Sequence, residues 1–134
     1  MTETLSPELF WVAAAAALTA LLWLPYIANQ IVLMGLWGAL KNSDAAQVQR
    51  STWARRAASA HTNAIENLAV FAPLAIVVHV AGASTEGTAT ACAVYFALRV
   101  AHYIVHVLGV PVVRTLAFAG GAVCQLYLAA EMLM

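Results

Sequence analysis

The sequence predicts an all-α polytopic membrane protein, a bundle of four transmembrane helices, on three observations. Of its 134 residues, 63% are hydrophobic and 9% charged, where soluble domains run about 45–50% apolar and about 25% charged. Apolar stretches long enough to cross a bilayer recur along the chain, separated by short polar turns. The cations outside those stretches all fall in loops that four crossings place on one side. Twelve formal charges cannot solvate a soluble protein of this size. A soluble enzyme and a disordered chain are thereby excluded, and a balance of six cations and six anions offers no basic patch for nucleic acid.

The first span is read from Leu9 to Leu40, a run without a charged residue. As one helix it is roughly 48 Å long, against ~30 Å of hydrocarbon, so it must tilt, protrude or bend. Pro25 is the kink site. Glu3 and Glu8 make the preceding segment acidic where a cleavable signal would be basic. Lys41 to Thr52 (KNSDAAQVQRST) reads as a loop, with Ser51 or Thr52 capping the next helix. The second span is expected at 53–80, its first turns basic through Arg55 and Arg56. A turn at 82–88 precedes a third span at 89–108, which stops at Gly109 and Pro111; the fourth runs over 115–133. The expectation is one transmembrane domain over residues 1–134.

Lys41, Arg50, Arg55, Arg56 and Arg114 share one side by this topology, while both termini and the 82–88 turn carry no Lys or Arg. The positive-inside rule makes that side cytoplasmic and puts both termini outside. Cys92 and Cys124 lie in apolar runs with no metal or redox spacing and read as buried hydrophobes.

Two charges, Glu66 and Arg99, fall inside the spans, where Arg or Asp at a helix centre costs ~2.5–3.5 kcal/mol. The bland reading is a buried ion pair that only fixes packing; the functional one is a site. Periodicity favours the site. Arg56, Ser59, Asn63 and Glu66 form one stripe of the second span, with Asn67 at its edge. Arg99, His102, Tyr103 and His106 form one face of the third, extended by Tyr95. Both stripes lie in the cytoplasmic half and are expected to line one pocket for an anionic or amphipathic ligand. Gln125 reads as an interhelical hydrogen bond, Gly120 and Gly121 as close helix contacts, and the tryptophans as interface anchors or packing. His102 and His106 are spaced as ligands, but without a third one no metal is expected.

The segments AHTNAIENLAVFAPL and RVAHYIVHVLGVPVVR resemble those of the MAPEG proteins, the membrane-associated proteins of eicosanoid and glutathione metabolism. The resemblance covers almost the whole chain, through four spans and the loop lengths between them. It implies a homotrimer with glutathione sites between subunits near the cytoplasmic face. Asn63, Glu66 and Arg99 match family positions, His102 matches a position that is His or Tyr, and Arg114 matches the arginine assigned to thiolate activation. A cation beside sulfur raises the thiolate fraction. Three positions depart from the family pattern: Ser59 replaces an arginine, Val32 and Met34 stand in a segment that carries arginine, and His106 replaces a tyrosine. Arg56, one turn earlier on the stripe, is the available substitute cation.

The resemblance implies a glutathione-dependent transferase or peroxidase acting on lipophilic electrophiles, in an integral protein of the bacterial inner membrane. Arg114 is its expected catalytic residue; Asn63, Glu66, Arg99, His102, Tyr103, His106 and Arg56 are expected to bind the cosubstrate. Membrane lipid and a lipophilic small molecule are its expected partners. The alternatives are a non-catalytic lipid-binding or scaffold protein of the same fold and a small proton-coupled transporter.

Overall fold

The computed structural model describes residues 4–41 and 48–134; Glu3, Asp44 and the rest of 42–47 in the polar loop lie outside the described residues. The first span is two helices, α1 (Pro7–Leu21) and α2 (Leu24–Lys41). Ser6 caps α1 by accepting from the Leu9 N–H, and Pro7 sits in the first turn, where its missing donor costs nothing. The interruption at Leu22–Trp23 comes just ahead of Pro25, which cannot supply an N–H to the turn behind it. Tyr103 donates its hydroxyl proton to the Leu22 carbonyl, 3.2 Å away, at that interruption. A second bend falls at Gly35, whose φ of 73° only glycine adopts without strain.

The other spans are α3 (Thr52–Val80), α4 (Glu86–Leu108) and α5 (Pro111–Leu133). Like the joined α1–α2 segment, each is long and apolar enough to cross a membrane. The fourfold reading therefore holds, with corrections at two starts. The N-terminus of α4 lies three residues earlier than expected, because Thr85 and Thr88 form a reciprocal capping box. α5 begins at Pro111 rather than near 115, proline being favoured in a first helical turn. That shift moves Arg114 from a loop onto the helix. At the end of α4, Gly109 takes a left-handed φ of 77°, with Gly109 N–H bonding His106 O and Val110 N–H bonding Val105 O.

The core is one apolar cluster, with Phe71 stacked on Tyr95 at 3.8 Å and Ala75, Val78, Cys92, Cys124 and Leu128 around them. Both cysteines are free and buried, as expected. α4 and α5 approach closely where a Cβ on Gly120 would stand 2.8 Å from Leu98 Cδ1, and one on Gly121 2.7 Å from Arg99 Nη2. Gln125 donates to the Asn67 carbonyl at 3.1 Å, the interhelical bond expected of it.

The two ends of the bundle are chemically unlike. At one end Glu8 is fully buried and accepts from Thr88 Oγ1 at 2.6 Å and Ser84 Oγ at 3.1 Å, tying α1 to the α3–α4 turn. It was expected in a solvated outer segment; the hydroxyls clustered around the start of α4 satisfy the carboxylate instead. At the other end lie Arg50, Arg55, Arg56 and Arg114. There α2 is held by polar contacts: Tyr26 hydroxyl to His61 Nδ1 at 2.8 Å, Arg50 to Gln30 at 3.0 Å, and a reciprocal Asn29–Ser51 pair at 2.9 Å. The expected N-cap side-chain bond of Ser51 is absent, because Asn29 takes its hydroxyl.

Candidate functional site

The site grows from the face of α4 that carries Arg99, His102 and His106. Arg99 is 5% exposed. Its Nη1 donates to Asn63 Oδ1 on α3 at 3.3 Å and its Nη2 to the Ala117 carbonyl on α5 at 3.2 Å. The guanidinium also lies 5.5 Å from the centroid of the Tyr95 ring and 5.9 Å from that of Phe118. Gly121 makes this possible: any side chain there would strike the guanidinium. One arginine thus joins three helices, with its charge desolvated and met by oxygens and aromatic faces.

One turn and two turns further along α4 come His102 and His106, their rings edge to face at 5.3 Å. His102 is buried and His106 partly so. Arg114, in the early part of α5, places Nη1 3.4 Å from His106 Nε2. Asn63, His102, His106 and Arg114, with Thr115 and Phe118, line a cavity of about 250 Å³. Asn63 connects this cavity to the buried arginine, and among the described residues no carboxylate lines it.

The other predicted residues stand elsewhere. Glu66 and Arg99 do not form the buried pair weighed from the sequence: Glu66 is exposed, and Arg99 is bonded to Asn63 and Ala117. The cause is angular. α3 buries Ala57, Ala60, Ala64, Asn67, Phe71, Ala75 and Val78, and the Arg56–Glu66 stripe is centred roughly 100° round the helix from that line. Asn63 reaches α4 from the flank of the stripe; Ser59 and Glu66 face outward. Arg56 caps α4, its Nε donating to the Val107 carbonyl at 2.8 Å, a cation set on a helix C-terminus. Tyr103 points to the other side of α4 and, with Pro25, Trp53, Ile104, Val107 and Leu108, lines an apolar groove of about 230 Å³.

Of the positions that carried the sequence resemblance, the geometry brings Asn63, His102 and Arg114 to one cavity and bonds Asn63 to Arg99, while Glu66 stands apart. The MAPEG family model matches residues 9–134. The chain belongs to the MAPEG family. No curated protein matches the sequence.

In this MAPEG protein the cavity also uses residues the sequence reading passed over. Thr115 and Phe118 line it, and the Ala117 carbonyl accepts from Arg99. Their signal lay in the helix start: once α5 begins at Pro111, Arg114 and Phe118 stand one turn apart on one face. Chemically, the described residues of the cavity offer a guanidinium, two imidazoles, an amide and a hydroxyl without an acid among them. That donor set suits an anion or a group that becomes one.

Proposed function

We propose that this MAPEG protein binds glutathione on the face formed by Asn63, His102, His106 and Arg114, and transfers or oxidises its sulfur in reactions with lipophilic electrophiles. The observation that carries this reading is the placement of the Arg114 guanidinium in a cavity with no acid among the described residues that line it, joined through Asn63 to the buried Arg99. A thiol beside a cation in a desolvated site ionises more readily, and the thiolate is the nucleophile. At about 250 Å³ the cavity is smaller than the ~300–1,000 Å³ of sites that enclose a whole ligand. It holds the thiol end, and the peptide's remainder lies along the outward Asn63–Glu66 face. A homotrimer covers that face, which also removes the exposed Glu66 carboxylate from lipid. The excess of Lys and Arg at this end makes it cytoplasmic, with both termini outside, in a bacterial inner membrane.

Millimolar glutathione is expected to raise the melting temperature of the detergent-purified protein and to support conjugation of a model electrophile. Arg114→Ala is expected to lower the conjugation rate about 100-fold, the loss typical of removing one oxyanion-type donor. Absence of both thermal stabilisation and conjugation in the parent protein would refute the reading.

A second reading, a non-catalytic lipid-binding or scaffold protein of the same fold, is favoured by one observation. Glu66 and Arg56, two of the expected peptide-binding charges, lie outside the cavity. It predicts a specific lipid co-purifying with the protein by mass spectrometry and no response to glutathione.

A further inference from the structure

Sulfur chemistry in this cavity requires a place for the thiol proton. Of the lining side chains, guanidinium only donates, while an amide, a threonine hydroxyl and a phenyl ring are not bases at neutral pH. Two imidazoles remain, and imidazole is the side chain whose ordinary titration falls between pH 5 and 8. His102 is 4% exposed and turned edge-on to its neighbour. His106 is the more open of the two, and its Nε2 faces Arg114 Nη1 at 3.4 Å.

That contact assigns the tautomer. Since the guanidinium can only donate, Nε2 carries the lone pair and Nδ1 the proton; Nδ1 is buried with no hydrogen-bond partner among the described residues. The basic nitrogen is therefore aimed at the cation that would hold a thiolate. At 3.4 Å the N–H···N bond is long, so a sulfur can displace it. Among the described residues, the charged or titratable groups facing His106 are Arg114 from α5, Arg56 from α3 and His102 from α4 itself; none is acidic.

We propose that His106 accepts the thiol proton of bound glutathione at Nε2 while Arg114 turns to the resulting sulfur anion, an inference that rests on the glutathione reading above. The S–H bond breaks, its electron pair stays on sulfur, and an N–H bond forms at Nε2. Imidazolium can no longer accept from Arg114, so the guanidinium N–H is released toward the thiolate. With an α,β-unsaturated carbonyl compound as electrophile, sulfur bonds to the β carbon and the π pair shifts to give an enolate. The enolate then takes the proton back from His106. The departure from a tyrosine at this position becomes a gain of function: the proton stays in the protein.

The test mixes glutathione with the whole protein in weakly buffered detergent at neutral pH, following thiolate by its ultraviolet absorbance and protons by an indicator dye. The expected result is thiolate absorbance without matching proton release. In His106→Tyr, each thiolate formed is expected to release one proton, and His106→Gln is expected to slow conjugation about 100-fold, as for loss of a general base. Melting curves without glutathione identify any variant that is misfolded, and the parent measurement stands without variants. One proton released per thiolate by the parent protein overturns the role of His106 while leaving the glutathione reading intact. Absence of both thiolate and thermal stabilisation in the parent overturns that reading and this inference with it.

Discussion

Arg99 shows what a single desolvated charge demands. With no carboxylate beside it among the described residues, the guanidinium is held by the Asn63 amide oxygen, the Ala117 carbonyl and two aromatic faces. Replacing Asn63 by Leu removes one of those acceptors and strands a buried donor, which typically costs about 1–3 kcal/mol. Asn63→Leu is therefore expected to lower the melting temperature in detergent even without glutathione, whereas a residue serving only the ligand would leave it unchanged. The sequence made Asn63, Arg99, His102 and His106 visible because polar residues in a lipid-length helix stand out against their neighbours. It could not separate Asn63 from Glu66. Both lie on one stripe, and only the direction of the buried line through Ala60, Ala64 and Phe71 decides that the first points inward and the second outward.

Elements were legible where local chemistry announces itself and less so where a neighbour decides. The end of α4 follows from Gly109, and the bend of the first span from Pro25. The start of α5 was misplaced because the valines after Pro111 read equally well as turn or helix, and with it went the face shared by Arg114 and Phe118. The contact between α4 and α5 depends on glycines whose purpose becomes plain only across the interface. Gly121→Leu is expected to push the Arg99 guanidinium aside and to destabilise the bundle by about 1–3 kcal/mol, a typical overpacking cost. Thermal melting checks it, with exposed Ala119→Leu on the same helix as a control that should melt like the parent.

Across the whole molecule, the charge partition read from the sequence is amended at two carboxylates: Glu66 is exposed rather than paired with Arg99, and Glu8 is buried. Arg50, Arg55, Arg56 and Arg114 share an end, and Glu8 at the opposite end belongs to the interior. The orientation has a direct check. In intact cells, a membrane-impermeant maleimide is expected to label Glu86→Cys and to spare Arg55→Cys until the membrane is opened. Cys92 and Cys124, buried and free, supply no background in the folded protein. The reverse pattern would invert the topology and put the cavity on the outer face.

The divided first span gives this small bundle two levels of protection. α1 is locked by the buried Glu8 and by Ala15 in the core, whereas Gln30 is the one residue of α2 that is buried. Hydrogen exchange in micelles should therefore find the amides of Leu24–Lys41 opening well before those of Pro7–Leu21, with the boundary at the Leu22 carbonyl that Tyr103 holds. The arm beyond that carbonyl can then detach and reseat many times while the frame of α1, α3, α4 and α5, which carries the cavity, stays together.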